Sequence, residues 1–225
     1  MLARFGLVCS LFYDSWMDDV GHGLDTDRGG VEQQARAPQI LRMHRIRRMH
    51  DHVRVPWRNG GGYTLEVDHD GTETHTWTWR VSIASVETNG PFSVFAGVDR
   101  HLVVIDGKGM RLTVDGDELS APPLRAVSFD GGAATSAELV DGPVRDLNFM
   151  VSRGDHPGRA AQLVVAEGSC SLSRVELVVA VSEMVTVETD SGPQSLGRFD
   201  ALIDVGGGDL RVCTGVAVVA QWSTT

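Results

Sequence analysis

Residues 55–67, VPWRNGGGYTLEV, decide between a phosphate-binding α/β protein and an all-β one. A phosphate loop needs a helix directly after its glycines, so that the first amides meet the anion, and a Lys-Ser or Lys-Thr pair in frame. The segment after these glycines alternates instead. Tyr63, Leu65 and Val67 fall on one side and Thr64 and Glu66 on the other, which is the period of a strand. A free linker fits no better, because Pro56 and Trp57 precede the glycines and an indole is costly to leave in water. The remaining reading is a tight turn, in conformations that glycine enters without a Cβ clash, bringing backbone amides to the rim of a binding cavity.

Outward from this turn the chain reads as strands. TWTWRVSIA (76–84), HLVVI (101–105), MRLTV (110–114), LRAVSF (124–129), VRDLNFMV (144–151), RVELVVAV (174–181), MVTVET (184–189), DALIDV (200–205) and GVAVVAQW (215–222) are short and apolar. Gly, Pro, Asp or Ser turns separate them, and no convincing helical period appears. Many short strands at this spacing imply a sandwich or barrel. Residues 102–132 can also be laid against 177–208 as two three-strand modules in the same order, which suggests a duplicated barrel.

Alternation assigns faces. Trp77, Trp79, Val81 and Ile83 point one way, with Arg80, Ser82 and Ala84 opposite; Asp146, Asn148 and Met150 share a face, as do Thr64 and Glu66. Such polar faces are most often wet, so alternation alone favours solvent over a polar lumen.

Of 225 residues, 42% are hydrophobic, enough for a real core, and the formal net charge of -10 repels phosphate backbones and anionic membranes. No nucleic-acid or membrane partner is expected. Arg42, Arg45, Arg47, Arg48 and Arg54 form a local basic run that reads as a solvated strand face. No apolar run reaches the roughly 18 residues that span a bilayer. Cys9, Cys170 and Cys213 are odd in number and far apart, as in a reduced cytoplasmic protein. MLARFGLVCSLFY imitates a signal peptide but runs into DSWMDD without a small-residue cleavage site, so a cytoplasmic location is expected. Residues 1–40 read as a disordered extension.

PWRNGGGYTLEV, WRVSIASVETNGPFSVFAGVDR (79–100), GKGM (107–110), SFDG (128–131) and GPVRDLNFMVSRG (142–154) together resemble the ordered motifs of the HutD/Ves family. The resemblance covers residues 41–154 well and the remainder more loosely. It implies a bicupin, two fused cupin-like (RmlC-like) β-barrels. The first would lie mainly in 41–154 and the second mainly in 155–225, with strands exchanged between them a further option. It also implies small-molecule binding associated with histidine utilisation in some members, and no secure reaction. Its motif positions include Trp57, Asn59, Gly60, Gly61, Gly62, Thr64, Glu66, Arg80, Ser82, Asp146 and Asn148, whose polar members share faces, so a polar lumen becomes the better reading. Arg80 is then the expected carboxylate anchor, since a planar fork gives two parallel hydrogen bonds. Glu66 or Asp146 would hold Arg80, receive a ligand's nitrogen, or act as a general base.

A metal-binding cupin presents His-x-His and a later Glu on one barrel face, with another His on a following strand. Only His50-Asp51-His52 has that spacing, before the glycine turn and without an acid in frame, so it reads as a solvated turn. His101 reads as a strand-end residue, and no serine or cysteine has a nucleophile's context. No cofactor and no metal are therefore expected. Three classes remain: a metal-free protein that binds a small carboxylate metabolite, a metal-free isomerase or amidohydrolase using Glu66 or Asp146, and an interaction module with a vestigial cavity. A homodimer is the assembly to test.

Overall fold

The computed structural model describes residues 44–57, 61–71, 77–156 and 159–224. The expected extension, 1–40, lies outside them. In chain order the strands are β1 (Arg45–Arg47), β2 (Val53–Pro56), β3 (Gly62–His69), β4 (Trp79–Val86), β5 (Gly90–Pro91) and β6 (Val98–Asp106). Next come β7 (Met110–Val114), β8 (Asp117–Ala121), β9 (Ala126–Asp130), β10 (Thr135–Leu139) and β11 (Val144–Ser152). The last are β12 (Arg159–Glu167), β13 (Cys170–Ala180), β14 (Met184–Thr189), β15 (Gly192–Gly197), β16 (Ala201–Thr214) and β17 (Val216–Thr224). A single 3-10 turn, Met49–Asp51, is the one helical element among the described residues.

These strands make a six-stranded sheet, β2-β3-β4-β11-β6-β9, a four-stranded sheet, β5-β10-β7-β8, and a seven-stranded sheet, β12-β17-β13-β16-β14-β15 with β1 on β16. The inner strands β4, β11 and β6 of the six-stranded sheet are buried on both faces, and their parity separates two cores. Trp79, Val81, Ile83, Leu147, Phe149 and Val151 pack on Leu177, Val179, Val218 and Trp222 of the seven-stranded sheet. Ala84, Val86, Leu102, Val104 and Val144 turn the other way, onto Met110, Leu112 and Ala137 of the four-stranded sheet. A third cluster, with Val178, Val185, Val187, Leu196, Leu202 and Val219, lies inside the curled seven-stranded sheet. This is an all-β bicupin.

Local chemistry fixes its corners. Asp115 and Gly116, with φ of 49° and 97°, join β7 to β8 as a two-residue hairpin, the arrangement an Asp-Gly pair favours. β1 belongs to the seven-stranded sheet although it precedes the six-stranded one in sequence. Arg45 and Arg47 reach from it to Asp68 of β3 at 2.8 and 3.4 Å, and Arg48 binds Asp200 at 2.7 Å. Arg54 lies over the Tyr63 ring at 3.8 Å. These described arginines of the basic run are partly exposed, as a solvated face would be, and also tie the N-terminal strands to their neighbours; Arg42 lies outside the described residues. His101 likewise sits within β6 rather than at a strand end, with Nδ1 2.8 Å from Ser128 Oγ. Cys213 is a free thiol, and Cys9 lies outside the described residues.

Candidate functional site

The lumen face of the six-stranded sheet is built in rungs by antiparallel register. Thr64, Ala84 and Asp146 lie side by side on β3, β4 and β11; Glu66, Ser82 and Asn148 form the next rung; Arg80, Met150 and Arg100 form the third, on β4, β11 and β6. Above them is a cavity of about 700 Å³. Its floor is Thr64, Arg80, Ser82, Arg100, Asp146, Asn148 and Met150; Val55, Pro56 and Trp57 close one side, and Pro91, Phe92, Ser93 and Phe95 the other. Most of the wall is apolar with a few convergent polar groups, as ligand sites generally are.

Arg100, 6% exposed, is the deep cation of this cavity. Its Nη2 donates to Asn148 Oδ1 at 2.5 Å, and its guanidinium lies 4.9 Å from the Phe92 ring centre and 5.1 Å from that of Phe129. Its Nε is buried without a partner. Burial pushes its pKa down to about 10, with Asp146 opposing the shift. Asp146 has no exposed surface. Asn148 Nδ2 donates to Asp146 Oδ1, and Oδ2 has no hydrogen-bond partner. Burial pushes this carboxyl up to about 7, against the pull of Arg100 and then of Asn148. The Asn148 amide is oriented by its neighbours, since a guanidinium offers only donors and the Asp146 oxygen it meets accepts. A register shift between Arg145 and Asp146 opposite β6 marks a bulge beside this relay, a place where bulges re-aim side chains.

The residues expected from sequence divide into three groups. Trp57, Thr64, Arg80, Ser82, Asp146 and Asn148 line the cavity, Trp57 held by a 2.9 Å bond from Nε1 to Thr64 Oγ1. Glu66 stands behind Arg80 rather than on the wall and accepts from both its Nε, at 2.9 Å, and its Nη2, at 2.8 Å. Gly61 and Gly62 are off the wall. The Gly61 carbonyl accepts from Glu87 N at 2.9 Å, and a Cβ on Gly62 would stand 1.9 Å from the Ser85 carbonyl oxygen, so Gly62 serves strand packing. Asn59 and Gly60 lie outside the described residues. Arg100, Phe92, Ser93 and Phe95 were not assigned to the site from sequence, although all four stand in the GPFSVFAGVDR motif. Extending the alternation of HLVVI back one residue puts Arg100 on the same face as Leu102 and Val104.

The donor set does not fit a metal ion. Among the described wall residues there is no imidazole, while Arg80 and Arg100 repel a cation. His52 is buried rather than in a solvated turn; desolvation lowers its pKa, while His50 beside it is exposed. No cluster of three or more His, Cys, Asp or Glu placed to hold a metal occurs among the described residues. No helix among them is long and apolar enough to cross a membrane.

A double cupin-type barrel whose first lumen carries guanidinium and carboxyl groups in place of imidazoles is the class these features define. The HutD family model matches residues 49–218, and the chain belongs to that family. It is 37% identical over 159 residues, 69% of this chain and 83% of the relative, to an uncharacterised 21.2 kDa protein in the hutC 3' region of Pseudomonas putida. It is 34% identical over 96 residues to the Ves protein of Escherichia fergusonii, 42% of this chain and 50% of that one. The solved structure of HutD from Pseudomonas fluorescens SBW25, in a formate condition, superposes with a TM-score of 0.69 at 35% identity, covering 81% of this chain and all 100% of that one.

Proposed function

We propose that this protein binds a small carboxylate metabolite in the first-barrel cavity, without a metal, and that it serves histidine utilisation as a sensor or buffer. The observation that carries the reading is Arg100: a guanidinium buried at the cavity wall, with its Nε unpartnered, answers an anion. The pathway assignment draws on the relatives, a HutD and a protein in a hutC 3' region. A thermal-shift and calorimetric screen of urocanate, formiminoglutamate, formylglutamate, glutamate and histidine tests it. Saturable binding of at least one acid, lost in Arg100→Ala, is the expected result; no binding by any of the five sinks it.

A second reading, a metal-free isomerase or amidohydrolase, is favoured by one observation: Asp146 is a buried carboxyl on the cavity wall with one oxygen unpartnered, and burial pushes its pKa up to about 7, into the range where a general acid or base works best. Product analysis of any acid that binds separates the two. Turnover lost in Asp146→Asn with folding intact supports the enzyme, and binding without turnover supports the sensor.

A further inference from the structure

Two buried polar atoms, on residues that line the first-barrel cavity, lack a partner. Arg100 Nε is a donor without an acceptor, and Asp146 Oδ2 is a carboxyl oxygen without a partner, both buried. The Asn148 amide lies between the two residues and joins them, taking a bond from Arg100 Nη2 and giving one to Asp146 Oδ1. Because Oδ1 is thereby fixed as an acceptor, a proton on this carboxyl belongs on Oδ2. We infer that Asp146 serves the cavity as a neutral hydrogen-bond donor, so that a carboxylate enters together with one proton, shared between Asp146 Oδ2 and the ligand oxygen. The inference rests on the carboxylate reading proposed above.

The charge inventory supports it. Arg80, from β4, is matched by Glu66 of β3, and Arg100, from β6, is the other cation. Asn148 and Met150, beside Asp146 on β11, are neutral, and the segment Pro91–Phe95 brings rings and a hydroxyl but no ionisable group. An ionised Asp146 would leave no net positive charge for a second anion in a desolvated space, and two adjacent carboxylates do not both ionise there. Protonated, it supplies an O–H to O⁻ bond, the strong charge-assisted kind. Burial already lifts this carboxyl to about 7 without a ligand. An anion on Arg100 removes part of the one charge that holds it down and pushes it higher. Below that pH the proton is already present; above it, the proton has to come from solvent, so affinity falls by about tenfold per pH unit.

The test titrates acetate and lactate, both of which stay ionised from about pH 6 to 9, by calorimetry across that range in paired buffers of different ionisation heat. The expected result is uptake approaching one proton per bound acid at about pH 8, affinity that is flat at the acid end and falls on the alkaline side, and a flat profile in Asp146→Asn. Binding with no proton uptake overturns the inference and leaves the carboxylate reading standing. Uptake that persists in Asp146→Asn overturns it too, since the proton then rests elsewhere. Failure of both acids to bind overturns the inference alone when an acid of the screen binds, and together with the reading beneath it when none does. If Asp146→Asn does not fold, the proton count of the unaltered protein decides alone.

Discussion

Arg80 directs Nε and Nη2 at one oxygen, Glu66 Oε2, at 2.9 and 2.8 Å, while the other Glu66 oxygen lies 3.4 Å from His69 Nε2. Both side chains are mostly buried, 17% and 18% exposed. The fork that would clasp a ligand carboxylate is thus largely engaged by the protein, and the pair ties β3 to β4 beside the cavity. Arg80 lines the lumen, yet its first role in the free protein is cohesion.

Removing one member of such a pair leaves a partly desolvated charge without its partner, which costs more than the pair itself contributes. Arg80→Met should therefore destabilise the fold by about 2 to 4 kcal/mol. Adding Glu66→Leu should recover most of that loss. Urea unfolding of the two variants reads both numbers, and equal loss in single and double variants would show that the pair is not coupled.

Arg100 behaves differently. Arg100→Met should weaken carboxylate binding by about 2 to 4 kcal/mol, more than a tenfold loss, because a buried charge and its donors go together. Arg100→Lys should recover part, since an ammonium replaces the charge but neither the fork nor its stacking on Phe92. Calorimetry with an acid from the screen measures this. A larger loss in Arg80→Met than in Arg100→Met would return the anchor to Arg80.

The contrast between these two arginines shows where sequence reading stops. Period-two alternation puts Arg80 with Ser82 on one face of their strand and Asp146 with Asn148 on one face of theirs, because a pleated strand leaves no freedom in parity, and the register of β11 on β4 then sets the two pairs side by side. Alternation also sets Trp79, Val81 and Phe149 opposite, where they form the seam between the sheets. What alternation cannot express is which cross-strand partner a charge takes. That depends on register, and Glu66 reaches Arg80 from a neighbouring rung. Arg100 escaped because the apolar run HLVVI begins one residue after it, although the strand begins at Val98. β8, β10, β12 and β15 also escaped. Their sequences, DELSA, TSAEL, RAAQLVVAE and GPQSLG, hold few of the β-branched and aromatic residues that mark strands, and pairing makes them strands.

Gly62 offers a test of the glycine turn that needs no ligand. A Cβ there meets the Ser85 backbone oxygen at 1.9 Å and the Trp57 ring at 3.2 Å. The carbonyl belongs to β4, in the middle of the sheet, and cannot swing aside without breaking the ladder. Gly62→Ala should destabilise by about 2 kcal/mol or more, within the range of overpacking in a tight core. Gly116→Ala, with open space around its Cβ, should cost only the strain of its φ of 97°, about 1 kcal/mol. Thermal denaturation of the pair checks the order. Equal losses would mean that the β3 to β4 contact yields more easily than its geometry implies.

Asp146 makes the free protein's stability depend on pH in a direction opposite to that of most carboxylates. Its pKa is raised by burial to about 7 from an ordinary 3.8, so the folded state holds a proton that the unfolded chain has released. For a group shifted this way, the stabilising proton is fully counted below the unfolded value. Stability then declines as pH rises from about 4 and levels off above about 7, where both states are ionised. A shift of this size corresponds to about 4 kcal/mol as an upper bound, at about 1.4 kcal/mol per unit, and relaxation around a buried ion reduces it. Asp146→Asn keeps the shape and a donor but carries no charge at any pH. It should raise the melting temperature at pH 8, with the gain shrinking towards pH 5, and chemical unfolding at a series of pH values measures the curve. A variant that is less stable than the parent at pH 8 would show that Asp146 is held ionised by Arg100 and Asn148, and that the cavity carries its negative charge before any ligand arrives.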